Sequence, residues 1–183
     1  AQATLFRVLG GIYGSLGLHD QAIARFTRSL QITRTGSSVD PLAEAETLHR
    51  LGEQYAASGD YKTAETRLTD ALTARRSHHA PAADLASTLL ALGTVQSVTG
   101  RFEQAQQAPK EAVAIYASQP GPPTPASVSS LAELGAVLHQ RGDLVRAKQV
   151  FDEATAAGRA VKGSSPEQVT VLIRLALLVG GFE

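Results

Sequence analysis

Three sets of small residues recur in step along the chain. Gly10, Gly52, Gly93 and Gly135 stand 42, 41 and 42 residues apart, and Gly17, Gly59, Gly100 and Gly142 keep the same intervals, as do Ala22, Ala64, Ala105 and Ala147. The strings "LGGIYGSLGLHDQAIARF", "LGEQYAASGDYKTAETRL", "LGTVQSVTGRFEQAQQAP" and "LGAVLHQRGDLVRAKQVF" align without gaps. A fixed period of that length means one supersecondary unit used several times, each unit burying its apolar face on its neighbours.

Each unit reads as two helices. Leu48, Leu51 and Tyr55 fall at helical spacing, and strand alternation is absent. The first glycine of a unit is small because another helix presses on it. The second ends a helix where the chain reverses and positive φ is cheap only for glycine. The alanine lets the second helix approach closely. Pro41, Pro81, Pro125 and Pro166 precede successive first helices, in keeping with the preference of proline for a first helical turn. Asp40, Thr124 and Ser165 precede three of them as N-caps, with a capping box from Ser165 to Gln168.

Composition narrows the function classes. With 43% hydrophobic residues a sizeable core is expected, and 17 basic against 17 acidic residues give no net charge to attract nucleic acid or an acidic membrane. The absence of cysteine excludes a disulfide framework and thiolate metal sites. "GGIYGSLG" lacks the strand that a phosphate-binding glycine loop must follow, so its glycines read as packing and turn residues. His78, His79 and Asp84 sit together without a second cluster at ligand spacing and read as a solvated loop, with no metal. Ser, His and Asp occur without a nucleophile elbow, so no catalytic residues, cofactor or enzyme activity are expected.

The Leu-x-x-Leu-Gly-x-x-Tyr spacing, followed by Gly and then Ala-x-x-x-Phe, resembles the tetratricopeptide repeat, and Tyr13 with Phe26, Tyr55 with Leu68 and Leu138 with Phe151 are the paired large residues of single units. The long period is similar to that of kinesin light chains, and "LGGIYGSLGLHDQAIARF" with "ALTARR" to repeats attached to bacterial serine/threonine protein kinases. The resemblance implies an all-α, right-handed superhelical α-solenoid of antiparallel helix pairs. It would be one array over 1–183, with repeats near 3–44, 45–85, 86–127 and 128–168, and 169–183 as the first helix of an incomplete fifth.

By the same resemblance the fifth and ninth positions of each first helix face a concave groove: Arg7 and Gly11, His49 and Glu53, Leu90 and Thr94, Ala132 and Ala136. His139 lies one turn further, and Glu46 and Ser97 complete the candidate partner-binding set. The groove lacks the Lys and Asn of a carboxylate clamp and the asparagine ladder of kinesin-like grooves. The expected function is binding of a peptide or protein segment as part of a larger signalling protein; the alternative is a structural self-association element. His49 and His139 are expected to make binding depend on pH. A cytoplasmic setting is favoured, with a periplasmic one open if the chain is attached to a transmembrane kinase.

Two local departures carry expectations of their own. Pro109 occupies the place of Phe26, Leu68 and Phe151, inside a helix, which predicts a kinked or shortened second helix in the third unit and a soft joint there. "VTVLIRLALLVGGFE", with Val171, Leu172, Leu175, Leu178 and Val179, reads as a helix without its partner, and truncation-driven self-association through residues 169–183 is expected.

Overall fold

The computed structural model describes residues 2–36 and 40–161, and among them every regular element is a helix. In chain order these are α1 (Gln2–Ser15), α2 (His19–Thr35), α3 (Pro41–Ala57), α4 (Tyr61–Ser77) and α5 (Ala82–Val98). There follow α6 (Phe102–Ala105), α7 (Gln107–Ala117), α8 (Pro125–Gln140) and α9 (Leu144–Ala160). The chain forms two compact units, the first reaching Val95 and the second starting at Gln96. Ser165, Gln168 and the apolar run from Val171 lie outside the described residues.

Within each pair the reversal is made by the second glycine. Gly17, Gly59, Gly100 and Gly142 have φ of 72°, 89°, 76° and 87°, and no side chain at these sites would be free of strain. The amide after each glycine reaches back five residues, Leu18 to Tyr13 O, Asp60 to Tyr55 O, Arg101 to Gln96 O and Asp143 to Leu138 O, all at 2.9 Å. This double closure satisfies carbonyls that a helix end would leave unpaired. In two units the same residue starts the next helix: Asp60 Oδ1 accepts from Thr63 N at 3.1 Å and Asp143 Oδ1 from Arg146 N at 3.3 Å. Two residues thus end one helix and begin another, which is why the turns are so short. At the other end of the pairs, Asp40 caps α3 ahead of Pro41, and Thr124 and Ser127 form a capping box ahead of α8. Each such cap stabilises its helix by about 1 kcal/mol.

The first glycine of a pair is a socket. A Cβ on Gly10 would lie 2.9 Å from the Phe26 ring, one on Gly52 2.5 Å from Leu68 Cγ, and one on Gly135 2.6 Å from the Phe151 ring. Phe26, Leu68 and Phe151 are fully buried, as are Ala22, Ala64, Ala105 and Ala147. Each large side chain of a second helix is therefore keyed into the backbone of the first, and its burial contributes about 1.5–3 kcal/mol. In the first unit Ala22, Phe26, Leu30, Leu48, Leu51 and Ala71 make one core, with Tyr13 and Tyr55 against it. In the second unit Val128, Leu138, Ala147, Phe151 and Ala154 do the same.

The third pair departs from the rule where proline replaces the key. The second helix is interrupted at Gln106, between α6 and α7, and Pro109 itself is buried. A proline ring pushes on the carbonyl four residues earlier, here that of Ala105, the last residue of α6. The second helix is therefore divided, as a kinked or shortened helix was expected, with the break three residues before the proline. Arg141 at the end of α8 braces the break from outside: its Nε lies 2.8 Å from Glu103 Oε1, and its Nη1 donates to Gln106 Oε1 at 3.1 Å.

Candidate functional site

Five helices of the first unit enclose two adjoining clefts. One, of about 550 Å³, is lined by α3 residues including Leu42, Glu46, His49, Arg50 and Glu53, by Arg75 of α4, and by Ala83, Asp84 and Ser87 of α5. The other, of about 490 Å³, lies between α1 (Arg7, Val8, Gly11, Gly14, Ser15) and the same Glu46, Arg50 and Glu53, with Phe26 of α2 at its base. The three shared residues of α3 form a charged ridge between them. Their spacing of four and three residues puts them on one face of the helix.

The ridge is internally paired. Arg50 Nε lies 2.8 Å from Glu46 Oε1 and its Nη1 3.1 Å from Glu53 Oε2. Glu46 Oε2 accepts from Arg75 Nη2 at 2.5 Å, while Arg75 Nη1 donates to Asp84 O at 2.7 Å, to Ser87 Oγ at 3.3 Å and to the Thr88 hydroxyl. Arg75 is only 2% exposed, so this guanidinium is a buried cross-link joining α4 to α3 and α5. His49 adds a second link: its Nε2 lies 3.3 Å from Glu53 Oε1, and its Nδ1 lies 3.4 Å from Thr88 Oγ1. Burial works against ionisation of Glu53, but the hydrogen bond and charge of His49, and then Arg50, outweigh it and hold the carboxyl below its ordinary range. Burial likewise disfavours charge on Arg50, and the flanking Glu53 and Glu46 more than offset it, raising its pKa.

The structure brings Arg7, Gly11, Glu46, His49 and Glu53 of the expected set around these clefts. It corrects the picture of His49 as an exposed groove residue: the ring is 4% exposed and is spent on Glu53 and Thr88, because position 49 sits where α3 meets α5. A ligand meets its edge at most. In α5, Leu90 is half-buried, and Thr94 is exposed with its hydroxyl donating to Leu90 O at 3.0 Å. Ser97, Ala136 and His139 belong to the second unit. Ser97 is buried and donates to Gln140 Oε1, Ala136 packs on the core around Phe151, and His139 is exposed.

Two residues of the cleft, Arg50 and Arg75, escaped the reading of the repeat. Arg75 had a signal. The buried stripe of α4 runs Ala64, Leu68, Ala71, Leu72, and position 75 is its next member, so an arginine there has to find partners inside the fold.

A sequence-family model described as tetratricopeptide repeat matches residues 1–77, 43–118 and 84–160. Kinesin light chain-related protein 3 of Arabidopsis thaliana is 25% identical over 155 residues, which is 83% of this chain and 24% of that protein, so the chain spans about a quarter of that relative's length. Among solved structures, a kinesin light chain of Podosopora anserina with nearly identical TPR-like repeats superimposes with a TM-score of 0.76 at 18% identity, over 99% of this chain and 89% of that one. A Rap protein complexed with competence and sporulation factor superimposes with a TM-score of 0.75 at 14% identity, over 99% of this chain and 50% of that one. At such identities the structural likeness is one of fold.

Proposed function

Since this chain belongs to the tetratricopeptide repeat family, whose members are in general protein-interaction modules, we propose that it binds an extended peptide or protein segment along the two clefts of its first unit, as the recognition part of a larger signalling protein. The observation that carries this reading is the ridge of Glu46, Arg50 and Glu53, which lines both the α1 cleft and the α5 cleft. A charged surface already neutralised by its own pairs keeps its shape without a ligand, and a preformed groove loses little entropy on binding. Gly11 adds room: a Cβ there would meet nothing within 4 Å. The Rap protein complexed with competence and sporulation factor lends support, as a chain of the same fold that is solved with a bound factor. No reaction is assigned, because the acids of the ridge are engaged by arginines rather than held apart for proton transfer.

Gly11→Trp tests the reading, because the open space lets an indole enter the α1 cleft without disturbing a packed contact. Peptides selected from a random library against the full chain should lose binding to Gly11→Trp and keep it with Arg28→Glu, a change on an exposed side chain of α2. Equal binding to wild type and Gly11→Trp would move the site elsewhere.

A second reading, self-association, has one observation in its favour: α1 exposes Leu5, Val8, Ile12 and Leu16.

A further inference from the structure

The peptide reading leaves the chemistry of the ligand open, and the pairing pattern of the cleft closes part of it. Glu46, Glu53, Arg50 and Arg75 are all engaged with one another or with His49. Two charged groups that line the clefts are not. The Arg7 guanidinium on α1 and the Asp84 carboxylate on α5 make no hydrogen bond or ion pair among the described residues, although the backbone oxygen of Asp84 is an acceptor for Arg75, Ser87 and Thr88. The α5 cleft holds three carboxylates, of which Glu46 meets Arg50 and Arg75, and Glu53 meets Arg50 and His49. Asp84 is the carboxylate of this cleft that no cation in it meets. Leu42 and Ala83 line the same cleft and give the aliphatic stem of a basic side chain an apolar surface to lie on. In the other cleft the free charge is positive, and Gly11 beside Arg7 leaves open space.

We infer that the ligand is a polypeptide segment carrying a lysine or arginine that seats over Asp84, and an aspartate or glutamate about six residues away that meets Arg7. The separation follows from helix geometry. Arg7 corresponds in the repeat to Leu90, six residues beyond Asp84, which is about 9 Å along the helix axis. Two steps between neighbouring first helices add about 16–20 Å across it. The diagonal of about 20 Å is spanned by about six residues of extended chain. Complementary charges at the two ends fix the direction in which the segment lies, and this selects among peptides more than it adds affinity.

This inference rests on the cleft reading, and its test separates the two. A twelve-residue random peptide library displayed on phage is selected against the full chain, against Asp84→Asn and against Arg7→Gln. Affinities of synthetic copies of the recovered peptides are then measured by fluorescence anisotropy. Wild type should enrich a basic residue at one position and an acidic residue about six positions away. Asp84→Asn should erase the basic preference alone and weaken those peptides about fivefold, the effect of losing one partly exposed charge pair. Arg7→Gln should erase the acidic preference alone. Neither side chain makes a hydrogen bond or ion pair in the fold, so thermal unfolding of Arg7→Gln should match wild type, and Asp84→Asn, which loses a carboxylate from the first turn of α5, should unfold only slightly earlier. Peptides that bind without charge bias, or whose bias survives both substitutions, would overturn the inference while leaving the cleft in place. Peptides indifferent to Gly11→Trp as well would remove the cleft itself.

Discussion

The buried guanidinium of Arg75 carries a lopsided risk. Its Nη2 faces Glu46, and its Nη1 shares the Asp84 carbonyl with the hydroxyls of Ser87 and Thr88. Arg75→Met removes the charge and strands little, because Glu46 keeps Arg50 and partial access to solvent while the Asp84 carbonyl keeps both hydroxyls. Glu46→Ala does the opposite and leaves a buried cation without its counter-charge, a change that costs about 3 kcal/mol. Urea titrations should therefore show Glu46→Ala clearly less stable than Arg75→Met; the reverse order would mean that the cation is satisfied by carbonyl and hydroxyl oxygens alone. His49, in the same cleft, marks where sequence reading stops. Position 49 was legible as part of a helix face, because the repeat register fixes which way a first helix turns. Burial of its ring was not legible, since it depends on Thr88 coming from another helix, and a period says nothing about a polar partner 39 residues away.

The turns within the helix pairs were legible, because a glycine with positive φ and an alanine at a close crossing leave little choice about where a helix stops and how near its partner comes, while the first helices begin three to four residues before the expected repeat starts of 45, 86 and 128. The third pair was legible for the same reason in reverse: Pro109 breaks the rule that Phe26, Leu68 and Phe151 keep, and the helix divides into α6 and α7 one turn ahead of it. Pro109→Leu restores both the missing amide donor and the kind of key used in the second pair. It should fuse the two helices, deepen the helical circular dichroism signal and slow amide exchange over residues 103–117. A proline inside a helix costs about 3 kcal/mol when nothing relaxes, and the break at Gln106 has already recovered part of that, so a gain of about 1 kcal/mol in stability is expected. Exchange in Pro109→Leu as fast as in wild type would show that the break is set by packing around Gln106 rather than by the ring.

At the scale of the whole array, apolar positions that the described residues leave uncovered are as informative as those they bury. On α1, Leu5, Ile12 and Leu16 lie on one stripe and are 57%, 51% and 66% exposed. In the repeat, Leu5 corresponds to Thr47, Thr88 and Ser130, which are 1%, 0% and 0% exposed, and Ile12 corresponds to Gln54, which is half-buried, and to Val95 and Val137, at 2% and 1%. At the positions of Leu5 and Ile12 the later first helices are buried or half-buried where α1 shows apolar side chains to solvent, even where the residue is a small polar one, whereas the position of Leu16 is exposed in them too, as Ser58, Thr99 and Arg141. A contiguous apolar stripe at a position the repeat is built to cover lowers its free energy by meeting another surface. The chain should therefore associate in a concentration-dependent way, seen as a rising mass in light scattering. The double variant Leu5→Gln with Ile12→Gln should stay monomeric with thermal unfolding unchanged, because neither side chain supports the core around Phe26. Association that persists in this variant would place the sticky surface away from α1 and return attention to residues 169–183, whose apolar content led to the same expectation for the other end of the chain.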